Sequence, residues 1–190
     1  PAYKITSFTI THMPFLKHIA KKQKPIILST GASNIAEISE ALQTIYKQKN
    51  EGVILLQCVS SYPAPLESTN LKVIKTLKQA FQVPVGISDH SEDPFIVPFA
   101  ATALGANLIE KHFTLDRTMP GPDHKYAIEP DELKAMISGI HGVEKALGSS
   151  IKNVTRIEEE LYQFAKRRIH AIKDIKRGEC LTEENIAILR

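Results

Sequence analysis

Polar side chains follow five apolar runs of the sequence, at the points where strands of a parallel sheet would end. In parallel strand–helix folds, catalytic and binding groups lie at the carboxyl ends of the strands. A single polar run such as Ser29-Thr30-Gly31 could simply cap a helix, but five in succession predict a functional site. The five runs are Lys4…Ser7, Ser29-Thr30-Gly31, Cys58-Val59-Ser60-Ser61-Tyr62, Ser88-Asp89-His90 and Glu110-Lys111-His112.

Two histidines end neighbouring predicted strands, and the sequence predicts that they converge. The strand period of two places Ser88 on the side of His90 and Glu110 on the side of His112. Two imidazoles make at most half a zinc site. With open positions and nearby oxygen ligands, they better suit a hexacoordinate ion such as Mn²⁺, completed by substrate and water. Two ordinary loop histidines are the alternative.

The hydroxyls and Lys4 offer donors for an anionic group, most simply a phosphate. Because Lys4 and Ser7 are three residues apart, one of them must lie where the strand has lost its regularity. A Schiff-base lysine inside a barrel is a further possibility, with Lys111 as its candidate. Lys111 lies between two positions assigned inward, Glu110 and His112, so it is predicted to point outward instead.

Strand-like runs alternate with segments of helical period, which predicts an α/β fold with a parallel sheet buried on both faces. Asn34 and Glu37 form a capping-box pattern before the second helix. The sheet could be open or part of a barrel, and no G-x-G-x-x-G follows the first strand, which argues against a dinucleotide fold. The predicted strands are Ala2–Ser7, Pro25–Ser29, Val53–Cys58, Val85–Ser88 and Ala106–His112. The predicted helices are Pro14–Lys22, Ile35–Lys49, Leu71–Phe81, Pro94–Leu104 and Pro130–Leu147.

Composition narrows the class of protein. The 190 residues are fewer than the roughly 250 of an eight-unit barrel. The 24 Lys+Arg and 21 Asp+Glu are spread along the chain, and the short basic runs lack interleaved aromatics, so no nucleic-acid partner is expected. No apolar stretch is long enough for a membrane span. Cys58 and Cys180 set no disulfide framework and fit a reducing compartment, so a cytoplasmic protein is expected.

The alternation of strand-like and helical segments stops after Gly148, where a polar linker begins. Residues 1–148 read as one α/β unit, 149–167 as a polar linker and a helix over Arg156–Phe164, and 168–190 as the start of a small second domain. In that last part the sequence predicts a strand over Ile169–Ile172, a turn, and a capped helical turn ending at Ile186. The chain begins inside a strand-like run and ends in mid-pattern, which predicts that it is part of a longer protein.

Several motifs, in order, resemble the sialic acid (N-acetylneuraminate) synthase family. They are Ser29-Thr30-Gly31, Ser61-Tyr62-Pro63-Ala64-Pro65, Gly86-Ile87-Ser88-Asp89-His90, Glu110-Lys111-His112-Phe113-Thr114 and Pro120-Gly121-Pro122-Asp123-His124-Lys125. The resemblance runs from Ala2 to about Leu147. It implies a partial (β/α)8 TIM-type barrel, containing strands four to eight of the family barrel. Residues 168–190 are similar to the start of the antifreeze-like domain, a small β-clip fold.

The resemblance also implies an activity. Such enzymes condense phosphoenolpyruvate with the open-chain aldehyde of an N-acetylated amino sugar, here N-acetylmannosamine or a related 2,4-diacetamido sugar, to give a nonulosonic acid and phosphate. His90 and His112 would hold a divalent metal, Mn²⁺ or Mg²⁺. The phosphate would be bound by Lys4, Ser7, Ser29 and Ser88. The sugar would meet Tyr62 and Asp123, which with His112 form the expected catalytic set.

The sequence departs from the family pattern at two positions. Thr9 stands where the family has Glu, a candidate proton-handling group that threonine cannot replace, and His12 stands where it has Asp. Two other interpretations therefore stay open: an inactive fragment of such a synthase, or a phosphosugar-binding barrel of different chemistry. A homodimer, or complementation by an N-terminal segment, is the expected assembly.

Overall fold

The computed structural model describes all 190 residues, which form two compact units, Pro1–Gly148 and Ser149–Arg190. The first unit is built on a sheet of five parallel strands that neighbour one another in chain order. This confirms the predicted α/β class and parallel sheet. The strands are β1 (Tyr3–Ile5), β2 (Ile26–Ser29), β3 (Val53–Cys58), β4 (Val85–Asp89) and β5 (Ile109–Lys111).

The helices of the first unit follow the strands that they connect. Asn34 caps α2 through a capping box with Glu37, as predicted. Pro130 begins α5, where a missing backbone N–H costs nothing. No helix combines the length and apolar character that crossing a membrane requires. The helices are α1 (Met13–Ala20), α2 (Ile35–Tyr46), α3 (Val73–Phe81), α4 (Ile96–Ala103) and α5 (Pro130–Leu147), with short 3-10 turns at Ser7–Thr9, Leu66–Ser68 and His124–Tyr126.

The main core lies between the sheet and the helices that follow its strands. Leu28 and Leu55 of the sheet and Leu16 and Leu77 of the helices are completely buried within one cluster. Burying each such side chain stabilises the fold by roughly 1.5–3 kcal/mol. Because the interior is closely packed, truncating Leu55 to alanine would cost about 2–5 kcal/mol. This layer fixes the strand ends that carry the polar side chains.

Two backbone details set the geometry near those ends. β1 ends at Ile5, and Ser7 already belongs to a 3-10 turn, so of Lys4 and Ser7 it is Ser7 that lies outside the regular strand. A Cβ atom at Gly86 would collide with the carbonyl oxygen of Leu108. Glycine therefore allows the close approach of the segment that leads into β5.

The second unit contains a 3-10 turn at Arg156–Glu158, helix α6 (Glu159–Phe164) and the strands β6 (Arg168–Ala171) and β7 (Ile186–Leu189). β6 and β7 pair antiparallel. The predicted helical turn ending at Ile186 is wrong in its last part, because only a turn forms before β7 begins. The Asn185 side chain binds the Cys180 carbonyl oxygen and accepts from the Thr182 amide. These bonds close the turn and direct the following residues into the ladder with β6.

Candidate functional site

His90 and His112 converge at the carboxyl ends of adjacent strands. Each residue directly follows its strand, β4 or β5, and the two ring centroids are 5.2 Å apart with the ring planes at 83°. Metal–nitrogen bonds of about 2.0–2.1 Å would put each ring centre roughly 3 Å from an ion, so two imidazoles on one ion have centres roughly 4.5–5.5 Å apart. The separation of the two rings fits that geometry.

The surroundings of His90 hold it in the form that a metal ligand needs. Its Nδ1 lies 2.8 Å from the Val59 carbonyl oxygen, an acceptor, so Nδ1 carries the proton and Nε2 keeps a free lone pair. Burial lowers the pKa of His90, and the neighbouring His112 lowers it further, although the hydrogen bond to Val59 opposes both effects. A neutral imidazole whose second nitrogen donates to a carbonyl is the usual arrangement around a bound metal.

Asp123 connects His112 to a tyrosine that sequence reasoning missed. Its Oδ2 lies 3.6 Å from His112 Nδ1, and its Oδ1 accepts a hydrogen bond of 2.6 Å from the Tyr126 hydroxyl. Burial and the bond to Asp123 raise the pKa of Tyr126 well above its ordinary value, so the phenol remains a donor. The spacing of three residues between Asp123 and Tyr126 was the available signal, but the bond requires the 3-10 turn that Tyr126 ends.

The Tyr62 ring lies next to both histidines. Its ring centroid is 4.2 Å from that of His90 and 5.8 Å from that of His112, and about half of the side chain is exposed. Partial burial raises the pKa of Tyr62, and nearby Cys58 and Asp123 raise it further. The neutral hydroxyl is therefore available to donate a hydrogen bond to a bound molecule.

A cluster of small hydroxyls surrounds Gly31. Ser7 Oγ accepts a hydrogen bond of 3.0 Å from the Gly31 amide, and a Cβ atom at Gly31 would collide with Ser60 Oγ. The buried hydroxyls of Ser29 and Ser60 have no hydrogen-bond partner. Buried polar groups are normally paired, so unpaired ones indicate room for a ligand or water. Ser60 was not predicted as a site residue, although strand alternation puts it on the same side as Cys58.

Glu110 joins two of the predicted phosphate ligands. Ser88 Oγ donates a hydrogen bond of 2.7 Å to Glu110 Oε1, and Lys4 Nζ lies 3.3 Å from the same oxygen. Because Ser88 and Glu110 are register partners, this bond crosses directly from β4 to β5. The carboxylate thus occupies donors that would otherwise face a bound anion.

The opposite face of the same strands carries a buried ion pair. Lys111 Nζ lies 2.6 Å from Asp89 Oδ2, and both side chains are almost completely buried. Asp89 and Lys111 are also register partners, so their side chains leave the sheet on the face opposite to Ser88 and Glu110. This confirms that Lys111 points away from the face that carries Ser88 and Glu110, and it removes Lys111 as a Schiff-base candidate.

The two positions that depart from the family pattern make only local contacts. Thr9 Oγ1 lies 3.0 Å from Thr6 Oγ1, and His12 Nδ1 accepts from the Phe15 amide at the start of α1. Neither supplies a carboxylate. Across the chain, no group of three or more His, Cys, Asp or Glu side chains has an arrangement that could hold a metal ion. Any ion on His90 and His112 would therefore need further ligands from substrate or water.

The fold and the polar strand ends together define part of a β/α-barrel protein whose candidate site lies at the carboxyl ends of its strands. A family model described as the NeuB family matches residues 1–152. The chain belongs to the NeuB family. The partial TIM-type barrel predicted from the sequence is confirmed by solved relatives of that fold.

Individual relatives agree with this assignment. The chain is 45% identical to the spore coat polysaccharide biosynthesis protein SpsE of Bacillus subtilis, over 100% of this chain and 54% of that protein. It is 46% identical to the N,N'-diacetyllegionaminic acid synthase of Campylobacter jejuni, over 99% of this chain and 57% of that protein. The crystal structure of an N-acetylneuraminic acid synthetase from Leptospira borgpetersenii superposes with a TM-score of 0.79 at 37% identity. The match covers 86% of this chain and 56% of that one. The chain spans about half the length of the relatives that it matches.

Proposed function

We propose that the protein of which this chain is a part condenses phosphoenolpyruvate with the open-chain aldehyde of an N-acetylated amino sugar, releasing phosphate. The observation that carries the proposal is the convergence of His90, His112 and Tyr62 beside Lys4 and the unpaired serine hydroxyls. Membership of the NeuB family supports it, because similar proteins include one named as an N,N'-diacetyllegionaminic acid synthase. The product would be a nonulosonic acid.

The phosphate end of phosphoenolpyruvate would occupy the hydroxyl cluster. Ser29 Oγ is buried without a partner, and Ser7 Oγ lies against the Gly31 amide. Lys4 would supply the positive charge and Ser88 a further hydroxyl. Charge-assisted hydrogen bonds of this kind are roughly twice as strong as neutral ones. Glu110 would have to release Lys4 and Ser88 as the anion enters.

His90 and His112 would hold a divalent metal, Mn²⁺ or Mg²⁺, with water and substrate oxygens as the remaining ligands. When bound, such an ion supplies a Lewis acid that polarises the aldehyde oxygen. The Val59 carbonyl keeps the His90 ring oriented, and the Asp123 carboxylate lies 3.6 Å from Nδ1 of His112. The Tyr62 hydroxyl and the Asp123 carboxylate would orient the sugar.

The reaction balances with water as the only further reactant. The methylene carbon of phosphoenolpyruvate attacks the aldehyde carbon, forming the new carbon–carbon bond, and the aldehyde oxygen takes up a proton. Water then adds to the neighbouring carbon that carries the phosphate. The carbon–oxygen bond to phosphate breaks, and phosphate leaves with the electron pair of that bond as the ketone forms. Holding both substrates in place can lower the barrier by several kcal/mol.

Binding measurements on the 190-residue chain test the site without requiring turnover. Inorganic phosphate titrated by calorimetry should bind the wild type and bind the Ser29→Val variant at least tenfold more weakly. A crystal soaked in phosphate should show an anion beside Ser29 and Ser88. An exposed serine outside the site, Ser149, provides the matched control as Ser149→Val. Equal binding by both variants, or density only at distant lysines, would contradict the proposal.

A chain that binds these ligands without turning them over is the second candidate. The observation in its favour is Thr9, whose hydroxyl contacts Thr6 and which cannot serve as a carboxylate base. Phosphate release from phosphoenolpyruvate and N-acetylmannosamine, compared with binding of each, separates the two functions. A phosphosugar-binding barrel of different chemistry would bind without release and would show no dependence on the metal.

A further inference from the structure

The most strongly buried charges of the chain lie outside the chemistry proposed above. Asp89 and Lys111 have side chains that are 0% and 3% exposed. Lys111 Nζ also donates to the Ser91 carbonyl oxygen at 2.7 Å, and Asp89 Oδ1 accepts from the Ser91 amide at 2.8 Å. A buried ion pair contributes little net stability compared with apolar side chains of the same volume. Its presence therefore calls for a role other than stabilisation.

The position of the pair along the strands indicates that role. Asp89 and Lys111 are the last register partners of the β4–β5 ladder, and the next residues are His90 and His112. Beyond this point the two backbones diverge: the His90 carbonyl accepts from the Ala64 amide, whereas the His112 carbonyl accepts from the Ile128 amide. The ion pair thus ties the strands together at the last point before they separate.

We infer that Asp89 and Lys111 are positioning residues, which set the separation of His90 and His112 by joining the ends of β4 and β5 from the face opposite to the site. This inference rests on the proposed metal function of the two histidines. Metal ligands must be held within about 0.5 Å of their productive geometry by supporting contacts. A bond between charged groups excluded from water is short and directional, so it restricts the spacing of the strands more tightly than apolar packing would.

The test separates positioning from stability. In the double variant Asp89→Leu/Lys111→Met, apolar side chains of similar volume replace the pair, so the urea unfolding midpoint should stay near that of the wild type. Mn²⁺ affinity, measured by electron paramagnetic resonance on the full chain, should fall about 10–100-fold, as is usual when supporting contacts of metal ligands are lost. Inorganic phosphate affinity should change much less, since Ser7, Ser29 and Ser60 end or follow other strands and only Ser88 lies on β4.

Gln57→Leu is the matched control. Gln57 is a buried polar residue of β3 that pairs in register with Ile87, two residues before Asp89. It therefore shares the face of the ion pair but adjoins neither histidine. This variant should bind Mn²⁺ like the wild type.

The outcomes are distinct. If the wild type binds Mn²⁺ and the double variant binds it with the same affinity, the inference is overturned and the proposed function stays intact. Parallel loss of Mn²⁺ and phosphate binding also overturns it, because the effect would then be general. A wild type that does not bind Mn²⁺ rejects the proposed metal site and the inference together. If the double variant does not fold, Lys111→Arg, which keeps the charge but not the geometry, should weaken Mn²⁺ binding several-fold; unchanged affinity overturns the inference.

Discussion

The Ser88 hydroxyl donates a hydrogen bond to the Glu110 carboxylate across the β4–β5 ladder, with 2.7 Å between the two oxygens. The same carboxylate lies 3.3 Å from Lys4 Nζ. A negative charge therefore stands among the groups that are proposed to receive phosphate. An anion in this part of the site would be repelled by the carboxylate unless the carboxylate moves, which makes Glu110 a measurable determinant of anion affinity.

Replacing Glu110 with glutamine should strengthen phosphate binding. Repulsion between the carboxylate and a bound anion in this partly exposed place costs on the order of 1 kcal/mol, which corresponds to about a fivefold change in affinity. Isothermal titration of Glu110→Gln with inorganic phosphate measures the change. The control is Glu144→Gln, an exposed position on α5. Weaker binding by Glu110→Gln would indicate that the carboxylate assists the anion instead of opposing it.

Removing either proposed metal ligand should abolish Mn²⁺ binding. His90→Ala and His112→Ala each leave a single imidazole, and no cluster of three ligating side chains is present to compensate. Electron paramagnetic resonance of added Mn²⁺ detects the free ion directly. His141→Ala provides the control, because His141 is exposed on α5 and contacts Glu144. Retained binding by both site variants would place the ion elsewhere.

The Arg117–Glu132 contact should make stability depend on pH. Burial tends to raise the pKa of Glu132, but the Glu129 amide and the Arg117 guanidinium outweigh it, so the folded-state pKa lies below the ordinary value. The stabilisation is therefore present above the unfolded-state pKa of about 4.3 and is lost as pH falls through the lower folded-state pKa.

Glu132→Gln should thus lower the free energy of unfolding at pH 7 by up to about 1 kcal/mol. At a pH below the folded-state pKa the variant and the wild type should be equally stable. Urea titrations at pH 7 and at acid pH measure the difference. A deficit of the variant that does not shrink on acidification would show that the charge of Glu132 is not the source of stability.

The 190-residue chain by itself should release phosphate from phosphoenolpyruvate no faster than a metal-free control. Its length is about half that of its relatives, and Thr9 offers no carboxylate for proton transfer. A coupled phosphate assay with N-acetylmannosamine and Mn²⁺ measures the rate. Turnover comparable to that of a full-length synthase would show that these residues suffice, or that a second copy supplies what is absent.

The chain should not behave as a stable monomer. β1 and β5 are the outer strands of the sheet, and each leaves one row of backbone groups without a neighbouring strand. Pairing with another copy, or with an added N-terminal segment, would satisfy those groups. Light scattering at low micromolar concentration should give a mass above that of one chain. A monomeric mass with cooperative unfolding would contradict this prediction.

Local sequence signals were sufficient for much of the first unit. The alternation of apolar runs with helical periods predicted five parallel strands, whereas their barrel order was implied by the family resemblance. Asn34 and Glu37 predicted the start of α2, since a capping box depends only on residues in one turn. The period of two also predicted that Ser88 and Glu110 share one face and that Lys111 lies on the other. The capping box and the alternation of side chains along one strand depend only on neighbours within a few residues.

Tertiary structure decided the contacts between distant segments. The Val59 carbonyl orients His90, and the burial of Asp89 with Lys111 requires two strands to be in register. Neither can be read from spacing, because backbone partners and the depth of burial arise only when the chain has packed. Propensity likewise predicted a helical turn up to Ile186, but pairing with β6 made that residue part of a strand. The sequence by itself determined which groups stand at the strand ends, whereas the packed structure alone decided which of them meet.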